Sequence, residues 1–437
     1  MSNLNKKWIV ASILWICILG SAWSQTPSLT SDTLTLSLQE AENIFLTKNY
    51  LLLAQKYNIN IAEANIRQSK LWANPNFFVE SNFYNPQTGK FFQYGKNSAA
   101  DIAASQYNKG SITLQLQQLI YTAGKRSKLV QLAESNKNLQ SLAFEDLLRN
   151  LRYQLHSSYA SLYFDMQSYT LLRNEEKQQK SLVNVMQQLL SKGGISAYEV
   201  TRLEAELRSI QSDILNLQGR ISDEETTLRT FLAQKDIVFI KPTEVVPSVI
   251  TLPQLKTVMD SALTNRPDVS LSQEQVNNAH QSLVYEKARR TPDLVAGLTF
   301  DKYASAFMNY TGLSVAMDLP VFNRNQGNIQ VAQLQLESAK KSVESQQITV
   351  QNEVMNAYEK FVQINQLNEE ISATYRESLK NISAEATKNY NQRTINLLDY
   401  LDKIRTYKQA SLKLIDLQNT VFQSQQYLNF VTNTKVF

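Results

Sequence analysis

Apolar residues recur at three- and four-residue spacing along most of this chain and switch to strict alternation in only four short stretches. In the first mode Leu139, Leu142, Leu147, Leu151, Leu155, Tyr159, Leu162 and Tyr163 form a stripe, while Gln, Asn, Ser and Lys fill the other faces. That pattern predicts amphipathic helices packed side by side in coiled-coil fashion. Neither Gly nor Pro interrupts residues 125–192 or 328–437, so helix can run on through both. At 1.5 Å per residue, a helix from Lys125 to about Leu190 makes a rod of roughly 100 Å, too long for one globular core.

The four alternating stretches come in two pairs, predicting β-hairpins over about 76–121 and 293–320. In the first, Phe77, Val79, Ser81 and Phe83 alternate with Phe78, Glu80, Asn82 and Tyr84, and Ile112, Leu114 and Leu116 alternate with Thr113, Gln115 and Gln117. In the second, Leu294, Ala296, Leu298 and Phe300 oppose Val295, Gly297, Thr299 and Asp301, and Leu313, Val315, Met317 and Leu319 oppose Ser314, Ala316 and Asp318. Two architectures satisfy this pattern: amphipathic hairpins on a soluble core, or strands of a transmembrane barrel. Four strands cannot close a barrel and open edges are not tolerated in lipid, so the second requires oligomerisation. Three copies would supply twelve strands.

The order of elements repeats. Ala73, Asn74, Pro75 and Asn76 precede the first strand as Arg290, Thr291, Pro292 and Asp293 precede the third, an offset of 217 residues. Each half then reads helix, strand, loop, strand, very long helix, turn, helix. The halves, 25–245 and 246–437, meet where Pro242, Pro247 and Pro253 interrupt the helical pattern.

Lys6 and Lys7 precede an apolar run from Trp8 to Leu19 that is too short to span a bilayer, and Ala22 and Ser24 suit a cleavage after Ser24. Residues 1–24 therefore predict a secretory signal peptide. The only cysteine, Cys17, lies inside it, so stability must come from packing or assembly. The net charge is +5, to which Lys6 and Lys7 contribute two, and basic and acidic residues are interspersed; nucleic acid is not a predicted partner. No later run of 18 apolar residues exists, so any membrane crossing is by strands. Nothing predicts an enzyme: His156 and His280 sit in helical patterns without motif partners, methionines are scattered, and Gly193-Gly194 is the nearest thing to a phosphate loop. No metal site, nucleotide site or cofactor is expected.

The run LPVFNRNQGNI from Leu319 to Ile329, its counterpart LIYTAGKRSKL from Leu119 to Leu129, and Asn-Arg-Pro-Asp at 265–268 resemble the TolC-type outer membrane factors, in particular their heavy-metal efflux branch. The resemblance covers nearly all of the chain after residue 24. It implies a homotrimer in the outer membrane, with a twelve-stranded β-barrel continued by a periplasmic α-helical barrel. It also implies a passive exit duct for solutes, metal cations or drugs, whose partners would be a periplasmic adaptor and an inner-membrane pump of the RND type. At the strand-helix corners, Pro320 ends pairing, and Gly124 and Gly327 let the backbone swing.

At the far ends of the long helices, Gly193, Ile195, Ser196 and Glu199 align with Arg393, Ile395, Asn396 and Asp399 at an offset of 200. The resemblance makes Gly193, Gly194, Ile195 and Ser196, with Thr394, Ile395 and Asn396, the tips that an adaptor grips. Arg393 stands where the family has Gly. Asp399 and Asp402 match an acidic ring at the periplasmic entrance; their spacing puts both on one helical face, and a trimer would present six carboxylates. Arg393 and Lys403 are expected to pair with them in the closed state. Two alternatives stay open: a TolC-like channel for type I protein secretion, and a soluble periplasmic coiled-coil scaffold.

Overall fold

The computed structural model describes residues 33–86, 88–95, 98–100, 109–236, 238–245, 254–303 and 309–434. The predicted signal peptide, and most of the Pro-rich stretch between the halves, lie outside the described residues. In chain order the elements are β1 (Thr33–Leu36), α1 (Leu38–Lys48), α2 (Tyr50–Ser69), β2 (Asn76–Ser81), β3 (Tyr84–Asn85), β4 (Lys90–Phe91) and β5 (Ile112–Ile120). Then follow α3 (Lys125–Ser191), α4 (Ala197–Phe231), β6 (Phe239–Pro242), α5 (Leu255–Asn265), α6 (Pro267–Arg289), β7 (Leu294–Lys302) and β8 (Tyr310–Met317). The chain ends in α7 (Gln326–Glu370), α8 (Ala373–Asn391) and α9 (Leu397–Thr432). Helix predominates, and α3 is unbroken over 67 residues as its lack of Gly and Pro allows.

The chain divides into two compact units. One holds residues 33–49, 155–245 and 371–422. Its helices α3, α4, α8 and α9 bury Leu182, Met186, Leu203, Leu207, Tyr390, Tyr400 and Ile404 together, each large side chain contributing roughly 1.5–3 kcal/mol of hydrophobic stabilisation. In the same unit β1 pairs in parallel with β6, Thr33 opposite Phe239 and Leu36 opposite Pro242. The buried Tyr159 hydroxyl donates to the Leu36 carbonyl at 2.7 Å. Ser37 then opens α1 with a capping box: its side chain takes the Glu40 amide, and the Glu40 carboxylate takes the Ser37 amide.

The other unit holds residues 50–154, 254–370 and 423–434. Here α5, α6, α7 and the end of α9 share a core of Val258, Val269, Val350, Val354, Phe361, Leu428 and Val431. The Asn-Arg-Pro-Asp run fastens it. Pro267 takes the first turn of α6, where no amide is needed. Arg266 is buried and bridges Asp268 at 2.6 Å, Glu353 at 2.7 Å and the Val431 carbonyl at 3.3 Å. All four predicted strands lie in one antiparallel sheet of order β2-β5-β7-β8.

Three local features differ from the sequence-based expectation. β2 stops at Ser81, and Tyr84 belongs to a separate small hairpin, β3 with β4, whose Phe83, Tyr84 and Phe91 rings lie against one another. The second long helix, expected to run on through 328–437, breaks at Ile371-Ser372 without Gly or Pro: Ser372 adopts an extended backbone and its hydroxyl caps the Tyr375 amide at 3.0 Å. The parallel pair β1 and β6 was not foreseen.

Candidate functional site

The register of the sheet sorts its side chains by face. One row runs Phe77, Leu116, Leu298, Leu313, and the next on the same face runs Val79, Leu114, Phe300, Thr311. The opposite face carries Asn76, Gln117, Gly297, Ser314, and then Glu80, Thr113, Asp301, Tyr310. The apolar face is uncovered by the chain itself: Phe77, Leu313 and Val315 are 63%, 78% and 66% exposed. β2 and β8 are the outer strands, each with one edge unpaired among the described residues. A Cβ at Gly297 would meet the Ser314 hydroxyl, which would have to rotate away.

At the first corner Ala123 and Gly124 take positive φ of 52° and 66°, and the chain turns from β5 into α3. At the second, the left-handed residue is Asn325, φ 60°, and not Gly327, which lies in the first turn of α7. Asn tolerates that conformation better than most residues with a Cβ; its side-chain oxygen accepts from Asn328 at 2.7 Å, and its side-chain amide donates to the distant Glu286 carbonyl at 2.8 Å. Pro320 follows the end of β8 by three residues and its carbonyl accepts from the Arg324 side chain at 3.3 Å.

Two helix-turn-helix tips in the first unit have the same backbone. After α3, the Gly193 amide bonds the Leu190 carbonyl and the Gly194 amide the Leu189 carbonyl, both at 2.9 Å; after α8, Arg393 and Thr394 bond the Tyr390 and Asn389 carbonyls at 3.0 Å. Each is a helix C-cap closed by a left-handed residue: Gly193 at φ 69° and Arg393 at φ 57°. Replacement of Gly by Arg therefore leaves the turn intact. Ser196 and Asn396 cap the next helices through the amides of Glu199 and Asp399. Ile195 and Ile395 pack inward, whereas Tyr198 and Leu398, at matching positions, are 67% and 59% exposed. Asp399 and Asp402 lie exposed on α9, as do Arg393 and Lys403 in the turn and helix beside them. No ion pair joins these four within the chain, since Asp399 and Asp402 are absent from every intrachain bridge among the described residues.

Behind the tip the core is polar in two places. Glu206 of α4 is buried and takes Arg405 at 2.7 Å and Lys408 at 3.3 Å from α9; Lys408 also reaches Asp213 at 3.3 Å. Glu175 of α3 is buried against α8, where the Ser383 hydroxyl donates to it at 3.0 Å. Burial pushes its carboxyl up, Ser383 and Lys408 opposing only in part. Next to it the Tyr400 hydroxyl donates to Gln179 at 3.0 Å while Tyr390 stacks on its ring, and burial pushes Tyr400 up to about 12. None of these residues belongs to a motif in the sequence. The signal was available: Glu206 falls between Leu203, Leu207 and Ile210 on the apolar stripe, and Glu175 three residues after Leu172. His156 likewise has a carboxylate that sequence did not bring to it, Glu42 at 3.2 Å.

The family model described as outer membrane efflux protein matches residues 43–234 and 258–434, most of the chain and all of the sheet and tips. The chain belongs to that family. This outer membrane efflux protein is 21% identical to the cobalt-zinc-cadmium resistance protein CzcC of Cupriavidus metallidurans over 397 residues, covering 89% of this chain and 88% of the relative. It is 24% identical to the cation efflux system protein CusC of Escherichia coli over 292 residues, 63% of each chain. In fold it is similar to a membrane protein from Pseudomonas aeruginosa, with TM-score 0.73, 15% identity and 93% and 95% of the two chains covered. It is similar also to the Campylobacter jejuni CmeC outer membrane channel, with TM-score 0.72, 14% identity and 91% and 86% covered.

Family membership makes the protein an outer-membrane channel of a tripartite efflux system, working with an adaptor and an inner-membrane pump. The soluble-scaffold alternative falls with it. Among the described residues no helix is long and apolar enough to cross a membrane. Among the described residues no three His, Cys, Asp or Glu are placed to hold a metal.

Proposed function

We propose that three copies close their sheets into one twelve-stranded barrel, forming an exit duct for metal cations delivered by an RND-type pump through its adaptor. The observation that carries this is a face-sorted sheet with both edges open. Because all three pairings are antiparallel, β8 of one copy runs opposite to β2 of the next, so joining copies edge to edge continues the antiparallel pattern round the ring. Closure removes every edge from lipid, and turns the apolar rows outward and the Gln, Asn, Ser and Thr rows toward the lumen. Barrel width grows with strand number: eight strands are filled by side chains and sixteen leave an aqueous channel, so twelve leave a narrower polar passage. The matching tips at an offset of 200 support a duplicated chain with repeats 25–245 and 246–437.

The names of the relatives CzcC and CusC support cations as cargo. Asp399 and Asp402 of three copies would then form the acidic ring at the periplasmic entrance, with Arg393 and Lys403 pairing to them across subunits in the closed state. Exposed Tyr198 and Leu398, beside the turns 193–196 and 394–396, supply apolar anchors for the adaptor. Planar-bilayer recording of Asp399→Asn with Asp402→Asn is expected to show reduced cation selectivity; selectivity identical to the parent would sink the ring. Cells lacking the protein are expected to become sensitive to zinc, cobalt or cadmium, and unaltered tolerance of all three would remove the metal cargo. A type I secretion channel would instead lose export of a protein.

A further inference from the structure

At the helix-facing end of the sheet a cleft of about 700 Å³ opens between the end of α2, the start of α3 and the end of α6, within the size range of small-molecule sites. Trp72 and Arg126 make one wall. The Arg126 guanidinium lies 4.1 Å from the Trp72 ring centroid and donates to the Lys70 carbonyl at 3.3 Å. Three cations line the cleft. Lys125 is matched by Asp293 at 2.8 Å and Arg289 by Glu286 at 3.1 Å, whereas Arg126 has no carboxylate partner among the described residues. The cleft therefore carries one uncompensated positive charge, held against the Trp72 ring. Arg67, Lys70, Lys128, Lys287 and Arg290 follow on the same three helix ends. Beside these charges Leu71 and Trp72 are 58% and 63% exposed.

We propose that this cleft holds the phosphodiester headgroup of an anionic phospholipid from the membrane leaflet nearest the helices, with Arg126 on the phosphate and Trp72 at the boundary between headgroup and acyl chain. This rests on the sheet crossing the membrane. All four strands have their helix-proximal ends at this level, where the apolar rows give way to charge. A planar guanidinium matches two phosphate oxygens at once. Tryptophan favours the membrane-water boundary, its ring in the apolar layer and its N–H in the wet one. Basic pockets at that boundary select anionic headgroups. A soluble phosphate would satisfy Arg126 but leave Leu71 and Trp72 in water; acyl chains cover them.

The sequence supplies its own probe. Trp8, Trp15 and Trp23 fall in the segment predicted to be cleaved, which leaves Trp72 as the only tryptophan of the mature chain. The mature protein is placed in phosphatidylcholine nanodiscs doped with either acyl-brominated phosphatidylglycerol or acyl-brominated phosphatidylcholine at equal mole fraction. Quenching of Trp72 is expected to report about fivefold enrichment of the anionic lipid at the cleft, the amount one basic side chain supplies near an anionic lipid. Arg126→Gln is expected to abolish the preference and Arg126→Lys to keep part of it, with ion conductance unchanged in both. Protein that never inserts or conducts refutes the membrane reading. Protein that conducts but is quenched equally by the two lipids refutes the lipid site alone. Loss of the preference on adding soluble glycerol phosphate would assign a soluble anion to the cleft and overturn the proposal too.

Discussion

Replacing Arg393 by glycine and, separately, by alanine isolates the conformational cost of the second tip turn. Arg393 sits at φ 57° where the first turn has Gly193 at φ 69°. A left-handed residue with a Cβ costs roughly 1–2 kcal/mol, and glycine avoids that but frees the unfolded chain by about 0.4–1 kcal/mol. Both substitutions remove the same cation from the C-terminal end of α8, so its interaction with the helix dipole cancels in the comparison. The glycine variant should then hold its turn tighter than the alanine variant by about 1 kcal/mol, a factor of about five in the local opening constant. Hydrogen exchange at the amides of residue 393 and Thr394 reads this directly, because their bonds to Tyr390 and Asn389 close the turn. The mirror experiment is Gly193→Ala, where nothing lies within 4 Å of the added Cβ and the loss is purely conformational. Equal exchange in the two Arg393 variants, or faster exchange in the glycine one, would refute the reasoning.

Other expectations concern the polar core behind the tip. Glu206→Ala leaves buried Lys408 with Asp213 as its one remaining ion pair among the described residues and should destabilise the α4–α9 contact by on the order of 3 kcal/mol, seen as faster proteolysis of the tip; unchanged cleavage would count against a structural ion pair. Glu175 titrates above its ordinary 4.5 because it is buried, so the folded state favours its protonated form. The stability it gives below pH 4.5 is lost as pH rises through the raised value. Glu175→Gln should therefore match the parent in acid and exceed it at neutral pH, and parallel pH-stability curves would exclude this.

The sheet was legible in sequence down to its faces, because alternation fixes which side chains share a side once pairing is antiparallel. Phe77, Leu116, Leu298 and Leu313 come from four strands and meet in one row. The long helix α3 was legible for a similar reason, its apolar stripe running without a breaker. What escaped depended on particular side-chain bonds, some local and some to partners distant in the chain. Ser372 looks like any polar helix residue until its hydroxyl is seen capping Tyr375. Asn325 rather than Gly327 bends the second corner, its side-chain amide tied to Glu286 thirty-nine residues earlier. Glu206 reads as a solvated carboxylate unless its place on the apolar stripe is weighed, and Arg405 and Lys408 lie some two hundred residues away.

The parallel pairing of β1 with β6 also bears on the order in which the protein forms. Parallel strands cannot be joined by a tight hairpin, and these two are separated by about two hundred residues, so their closure entropy is repaid only after the intervening helices have condensed. Until β6 exists, Leu36 lacks its strand partner, and the Tyr159 hydroxyl, which joins the two strands at one end by donating to the Leu36 carbonyl and accepting from the Thr243 amide, lacks the second of these bonds. β1 is thus a late latch on a helical assembly rather than a seed for it. Severing it should spare early helix formation and appear instead as a faster unfolding rate.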